Sequence, residues 1–335
     1  MNSRAILGAA LLAAALSASA QAATITIINA DDPGEGLNDP TAVPAEGINP
    51  GTTLGEQRLY AAQYVADLWG ALLDSDVEIE VLTSWNPLAC SAGSGVLGSA
   101  GPRLIHAGFP SAPAADTWYV HALANAIAGV DLTSAEPGIS VQINATLDEG
   151  SSSCLGGLEW YYGLDGNAPS GTIDVLPTIL HELGHGLGFI SLANEETGEW
   201  FSTTQSGPLP DIYSSFLSDT ETGLDWPDMS DGQRRASAVN DPNLVWTGPN
   251  VDAAASLFVT APSAFSAGLL RLHAPEPLQL GSSVSHWTSD ASPDLLMEPS
   301  SSPDVYDDVD LTLDLLRDIG WQTLQGLIFA DGFEP

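Results

Sequence analysis

A histidine-containing segment, HELGHGLGFIS at residues 181–191, sets the strongest limit on how this chain can fold. His181 and His185 are four residues apart, and side chains at that spacing lie about 5–6 Å apart on one face of an α-helix. Two imidazoles placed in this way can bind one Zn²⁺, and Glu182 between them can accept a proton from a water molecule at the metal. The segment therefore predicts an active-site helix in a fold that supplies a further metal ligand.

The third ligand is missing from its usual place. The longer zinc pattern H-E-x-x-H-x-x-G-x-x-H would end at residue 191, where this chain has Ser191. Gly188 matches the glycine of that pattern, which can end the helix and turn the chain sharply. The remaining candidates are His273 in LRLHAPEP and His286 in VSHWTSDASPDLLMEP. His286 is favoured because Met297 follows it in a short turn-like segment and could form an apolar floor beneath the ligands, and His273 is the alternative.

The N-terminus predicts secretion. An apolar run at residues 5–16 and a small-residue triplet at 20–22 are typical of a secretory signal peptide, so we expect residues 1–22 to be removed. The run is shorter than the roughly 20 residues that span a bilayer, and we expect a soluble, extracellular protein with no membrane span. In an oxidising compartment Cys90 and Cys154 should form a disulfide, and a pair of buried free thiols is the alternative.

The charge balance excludes one class of partner. The chain has 43 acidic residues against 7 basic ones, a formal net charge of −36, and such a chain repels nucleic acid and anionic lipid surfaces. Self-repulsion also favours a monomer. The acidic segments NADDPGEGLND (29–39) and SPDVYDDVDLTLD (302–314) contain hard oxygen donors that could bind Ca²⁺, and plain surface charge is the alternative.

Hydrophobic periodicity predicts an α+β fold, in which a mixed N-terminal sheet with helices precedes an active-site helix. The predicted strands are 24–30, 76–85 and 139–147, and the predicted helices are 54–73, 118–129, one that begins near Asp174, a short one around 230–240, and 310–321. We divide the chain into an N-terminal catalytic subdomain (23–190), a C-terminal subdomain (191–325) with a polar, irregular insertion at about 192–285, and a tail (326–335).

Three segments, HELGHGLGF, SHW and LLMEP, together resemble the metzincin zinc endopeptidases, and within them a bacterial secreted relative of the leishmanolysin family. The resemblance covers about residues 175–321. It implies a zincin fold with an irregular C-terminal subdomain, a methionine turn and a final helix. It also implies zinc ligands at His181, His185 and His286, a general base at Glu182 and the methionine of the turn at Met297.

The resulting hypothesis is a secreted zinc endopeptidase that binds an extended peptide along the edge of its sheet and cleaves it with water activated by Glu182. One alternative is a non-catalytic, zincin-like adhesin or binding module. Glu182 argues against it, because a purely structural zinc site is closed by a fourth protein ligand and has no use for that carboxylate. A second alternative is a zinc hydrolase of a non-peptide amide. The insertion could be a lid, a substrate exosite or an inert loop.

Overall fold

The computed structural model describes residues 21–134, 136–204, 206–301 and 308–324. These ranges contain both helices and a mixed sheet, which confirms the predicted α+β class. Nearly all of the predicted signal peptide, the C-terminal tail and part of the second acidic segment lie outside the described residues. None of the described helices combines the length and apolar composition needed to cross a bilayer.

Two of the described helices are longer than ten residues, and the other regular elements are of that length or shorter. The strands are β1 (Ile25–Asn29), β2 (Ile79–Asn86), β3 (Gly98–Pro102), β4 (Ile105–His106), β5 (Tyr119–Val120), β6 (Ile139–Asn144), β7 (Glu159–Tyr161), β8 (Thr172–Asp174), β9 (Leu217–Asp219), β10 (Leu224–Asp225), β11 (Leu244–Trp246), β12 (Phe265–Ser266) and β13 (Leu269–Leu270). The helices are α1 (Leu54–Leu72), α2 (His121–Ala128), α3 (Val175–Leu187), α4 (Asp231–Ser237), α5 (Pro249–Phe258) and α6 (Asp310–Ile319).

The main sheet has the order β1-β2-β6-β3. Strands β1, β2 and β6 are parallel, and β3 is an antiparallel edge strand. Sequence periodicity did not predict β3, because its residues GSAGP lack alternating side chains and its pairing with β6 is made by the backbone. Helix α3 packs against β3 and β6 on one side and against α1. The sheet therefore presents one strand edge beside the active-site helix.

Helix α3 has the ends that the sequence predicts. The Asp174 side chain caps its first turn by accepting a hydrogen bond from the Leu176 N–H at 3.0 Å. Pro177 lies in that turn, where no backbone donor is needed. The helix ends at Gly188, whose φ of 129° lies in the region that favours glycine. A Cβ at Gly188 would also lie 2.6 Å from Ile319 Cδ1, so the helix end packs closely on α6.

Two buried tryptophans hold α3 in place. The Trp69 indole of α1 donates a hydrogen bond to the Leu180 carbonyl at 3.1 Å, and the Trp321 indole, just after α6, donates to the Leu187 carbonyl at 2.9 Å. Both tryptophans are buried in the main hydrophobic core. Helix α3 is therefore anchored by residues that lie on both sides of it in the sequence.

The insertion at 192–285 contains more regular structure than its composition indicates. Helix α4 lies where a short helix is predicted, but α5 and a three-stranded antiparallel sheet, in the order β10-β9-β11, were not predicted. Trp246 of β11 is buried, lies 4.9 Å from Tyr213 and stacks on Phe216 at 5.2 Å between ring centroids. Hydrophobic periodicity does not predict these strands, because they are only two or three residues long.

Candidate metal centre

The Nε2 atoms of three histidines lie close together in a cavity that strand β3 also lines. The Nε2 atoms of His181 and His185 on α3 lie 3.1 Å apart, and His286 Nε2 lies 3.1 Å from the first and 3.2 Å from the second. His286 lies in the loop between β13 and α6. The other candidate, His273, is not in this group; its Nε2 atom lies 3.1 Å from Gln279 Oε1. The fold thus brings the favoured third histidine to the helix.

The opposite nitrogen of each ring determines its tautomer. Each Nδ1–H donates to a backbone carbonyl: His181 to Leu296 (2.7 Å), His185 to Phe189 (2.7 Å) and His286 to Ser282 (2.8 Å). Each Nε2 atom is then an unprotonated acceptor, and three acceptors cannot form hydrogen bonds with one another. The convergence of three lone pairs is what a bound cation requires.

The spacing of the triad fits a metal ion. A tetrahedral ion with bonds of about 2.0–2.1 Å holds its ligand nitrogens about 3.3 Å apart, close to the spacing observed. Among the described residues, these three histidines alone form a group of three or more His, Cys, Asp or Glu residues whose ligand atoms all lie within 4.8 Å of one another. Imidazole ligands suit zinc and also other divalent transition metals. Three protein ligands leave a fourth position for water or substrate.

The triad is in the protonation state that metal binding needs. Burial lowers the pKa of His181 to about 4, and burial together with the neighbouring His181 lowers the pKa of His185 to about 3. Burial and the two other imidazoles hold the pKa of His286 well below its usual value. All three rings are therefore neutral near pH 7, as histidine ligands must be.

Glu182 lies against the edge strand β3 and lines the same cavity as the three histidines. Its side chain is only 6% exposed and packs on Gly98 of β3, where an added Cβ would lie 2.7 Å from Glu182 Cγ and Oε1. Burial raises the pKa of Glu182 to about 8. A cation held by the triad would stabilise the charged carboxylate and lower that pKa. A carboxylate in this position can exchange a proton with a molecule in the cleft.

Met297 packs against α3 at Gly184, between the two histidines of the helix. It is fully buried, and a Cβ added at Gly184 on α3 would lie 2.8 Å from its sulfur. The Trp287 N–H donates to the Met297 carbonyl at 2.8 Å, which connects this turn to the segment that contains His286. The turn also supplies the Leu296 carbonyl that orients His181.

The sequence did not identify a hydrogen-bond network beside His286. Ser191 N–H donates to Ser285 Oγ at 3.1 Å, and the Ser191 and Ser214 hydroxyl oxygens lie 2.8 Å apart. Because the Ser214 hydroxyl donates to the buried Asp211 carboxylate at 2.8 Å, the Ser191 hydroxyl must be the donor to Ser214. No local pattern marks these residues, since they are polar residues in a Gly/Pro-rich segment.

A cleft of about 780 Å³ is lined by the three histidines. The edge strand β3 lines one side and the methionine turn another. Two apolar side chains on its lining are exposed to solvent: Val96 (43%) before β3 and Leu280 (70%) in the insertion. The cleft therefore combines apolar contact surface with the outer edge of β3, which has no partner strand among the described residues.

The predicted disulfide joins two segments of the cleft wall. Cys90 and Cys154 are bonded, with their Cα atoms 5.1 Å apart, which confirms the expected bridge. The Leu155 N–H also donates to the Ser91 carbonyl at 2.7 Å. Residues 93–97 follow one cysteine and Leu155 follows the other, and both line the cleft.

The contacts of the described residues add no support to the predicted calcium sites. The Asp31 carboxylate in the first acidic segment accepts hydrogen bonds from Leu37 N–H at 2.7 Å and Trp85 N–H at 3.1 Å. Asp310 in the second segment accepts from the Leu296 N–H. These carboxylates satisfy backbone donors, so calcium binding stays a prediction.

Comparison with protein-family models, curated proteins and solved structures finds no match to this chain. Its function must therefore be inferred from the residues and geometry of the site.

Proposed function

We propose that the protein is a secreted zinc-dependent endopeptidase with a metzincin-like zincin fold, a bacterial relative of the leishmanolysin family. The observation that supports this most is the convergence of three neutral histidine Nε2 atoms in a cleft that Glu182 also lines. A site with three imidazoles and a neighbouring carboxylate suits hydrolysis, whereas a structural zinc site has four protein ligands.

The cleft suits an extended peptide. Strand β3 pairs only with β6 within the described residues, so its outer edge has free backbone donors and acceptors beside the metal centre. A peptide could add to this edge as a further strand, and apolar residues such as Leu97 and Leu280 would contact its side chains. A cleft lined by a strand edge favours a peptide over a small amide.

The roles of the residues follow from their positions. His181, His185 and His286 would hold the metal, and the carbonyls at their Nδ1 atoms keep the rings oriented. When bound, zinc supplies Lewis acidity that lowers the pKa of water and polarises a carbonyl. Glu182 accepts the proton of the attacking water and delivers it to the leaving amine. Its contact with Gly98 keeps the carboxylate on the cleft side of α3.

Metal content and hydrolysis measured on the same preparations test this proposal. Wild type should contain one zinc and cleave casein, and His286→Ala should lose both. His273→Ala is the matched control and should keep both, because His273 lies outside the triad. Glu182→Gln should keep zinc and lose hydrolysis. A wild type that binds zinc but cleaves no protein would support the binding-module or amide-hydrolase alternative, and loss of zinc only in His273→Ala would refute the ligand set.

A further inference from the structure

Two histidines outside the metal centre contact each other where helix α2 begins. The Nε2 atom of His106, on β4, lies 2.7 Å from the Nδ1 atom of His121, the first residue of α2. His121 is only 5% exposed, and its ring packs on Gly138, where an added Cβ would lie 2.4 Å from His121 Cδ2. The contact therefore joins β4 to the start of α2 at a place where the His121 ring has little room.

Asn125 determines which nitrogen of each ring carries the proton. Its Oδ1 atom accepts the Leu132 N–H at 3.0 Å, so its amide nitrogen faces His121 Nε2, also at 3.0 Å. His121 Nε2 is then an unprotonated acceptor, and a neutral His121 carries its proton on Nδ1. That Nδ1–H donates to His106 Nε2, which is unprotonated as well. In the neutral pair, each contact joins one donor to one acceptor.

An additional proton conflicts with this arrangement. A proton on His121 Nε2 meets the Asn125 amide, which is another donor. A proton on His106 Nε2 meets the His121 Nδ1–H, unless His121 moves its own proton to Nε2, where it again meets the Asn125 amide. Every protonated form that keeps the two rings joined therefore has a proton on His121 Nε2 and loses the hydrogen bond from Asn125.

Asp131 offers a new partner for that proton. Its Oδ1 atom lies 3.7 Å from His121 Nε2, and it accepts from the Asn125 amide at 3.3 Å and from the Thr133 N–H at 2.9 Å. A protonated His121 would replace Asn125 as a donor to Asp131 and form a stronger, charge-assisted hydrogen bond. The Asn125 amide would then turn away, and its contact with the Leu132 N–H would weaken. Protonation therefore releases the chain that follows α2.

The charges around the pair act in both directions. Burial lowers the pKa of both imidazoles, and His121 further lowers that of His106, whereas the Asp131 carboxylate raises both. A cavity of about 380 Å³ beside His121 is also lined by Asp76, Glu78, Glu80 and Glu136, and Glu136 pairs with Arg103 at 2.9 Å. The N-terminal end of α2 disfavours a cation at His121. Because the net effect lowers both pKa values, the neutral pair stabilises the fold near pH 7, and this stabilisation is lost as the pH falls below about 6.5.

We infer that His106, His121 and Asn125 form a pH-sensitive latch between β4 and α2. The latch is closed while both rings are neutral. Uptake of one proton transfers His121 Nε2 from Asn125 to Asp131 and frees the segment at 129–134. The latch shares no residue with the metal centre, so this inference does not depend on the proposed endopeptidase function.

Nitrogen-15 NMR of the histidine rings tests the latch, because the shifts of Nδ1 and Nε2 show which atom carries a proton. The purified protein is titrated from pH 8 to pH 5, with ring signals assigned through bonds to the backbone. At pH 8 we expect both His106 and His121 to be protonated on Nδ1 only. On acidification His121 Nε2 should gain a proton with a midpoint below about 6.5, and the Leu132 backbone amide and the Asn125 side-chain amide should shift with the same midpoint.

Asn125→Asp is the variant that separates a latch from two independent histidines. It keeps an acceptor for the Leu132 N–H but places a carboxylate opposite His121 Nε2 where wild type has a donor, so the midpoint should rise by about 1 pH unit or more. Asn167→Asp is the matched control, because it adds the same charge at an exposed position away from the pair, and it should titrate like wild type.

Three results would overturn the latch. The first is a His121 ring protonated on Nε2 at pH 8, and the second is a Leu132 amide that does not respond while the rings titrate. Both are read from wild type, so they do not require a variant to fold. The third is a midpoint that is the same in Asn125→Asp and in wild type.

Discussion

The backbone N–H of Ser191 donates a hydrogen bond to the hydroxyl of Ser285, 3.1 Å away. Ser191 stands where the longer zinc pattern has its third histidine, and Ser285 directly precedes His286. This contact therefore joins the end of the active-site motif to the segment that supplies the third histidine. The fold obtains that imidazole from about 100 residues later in the chain and holds its loop at the place where the usual ligand would begin.

The Ser191–Ser285 contact should support metal affinity. Ser285→Ala leaves the Ser191 N–H without its acceptor and loosens the loop of His286, so we expect zinc affinity to fall about tenfold, the lower range for residues that orient ligands. Competition with a chelating dye measures the zinc affinity. Ser300→Ala, an exposed position on the cleft, should leave affinity unchanged. Equal affinities for wild type and Ser285→Ala would show that the contact does not position His286.

A methyl group at Gly98 should displace Glu182, the proposed general base. Its Cβ would lie 2.7 Å from the Glu182 carboxylate, whereas a Cβ at Gly101 on the same strand meets only Ile190 at 3.9 Å. A displacement of about 1 Å can cost on the order of 100-fold in rate, so Gly98→Ala should lose that much peptide hydrolysis while retaining zinc. Gly101→Ala should keep the wild-type rate. Unchanged kcat in Gly98→Ala would contradict the assigned position of Glu182.

Removal of the disulfide should destabilise the fold. The Cys90→Ser, Cys154→Ser double variant removes a cross-link across 64 residues of chain, which should lower the free energy of unfolding by about 3–4 kcal/mol. Urea unfolding followed by tryptophan fluorescence measures this change. Zinc content in the absence of urea should not change, because no ligand lies in the joined segments. Loss of zinc would show that the cleft wall also supports the metal centre.

The sequence alone determined the active-site helix. Asp174, Pro177 and Gly188 mark its ends, and the spacing of His181 and His185 places both on one face, because caps and helical periodicity depend on residues only a few positions apart. Most of the parallel strands and long helices were predicted for the same local reason. The methionine segment favoured His286 over His273 as the third ligand.

Only the tertiary structure decided how these parts meet. Strand β3 has glycine and proline in place of a strand pattern and exists because its backbone pairs with β6. The contact between Glu182 and Gly98, and the network from Asp211 to Ser285, join residues far apart in sequence. Such contacts arise from packing across the whole core, so no local pattern predicts them, and they determine where the Glu182 carboxylate and the His286 imidazole lie.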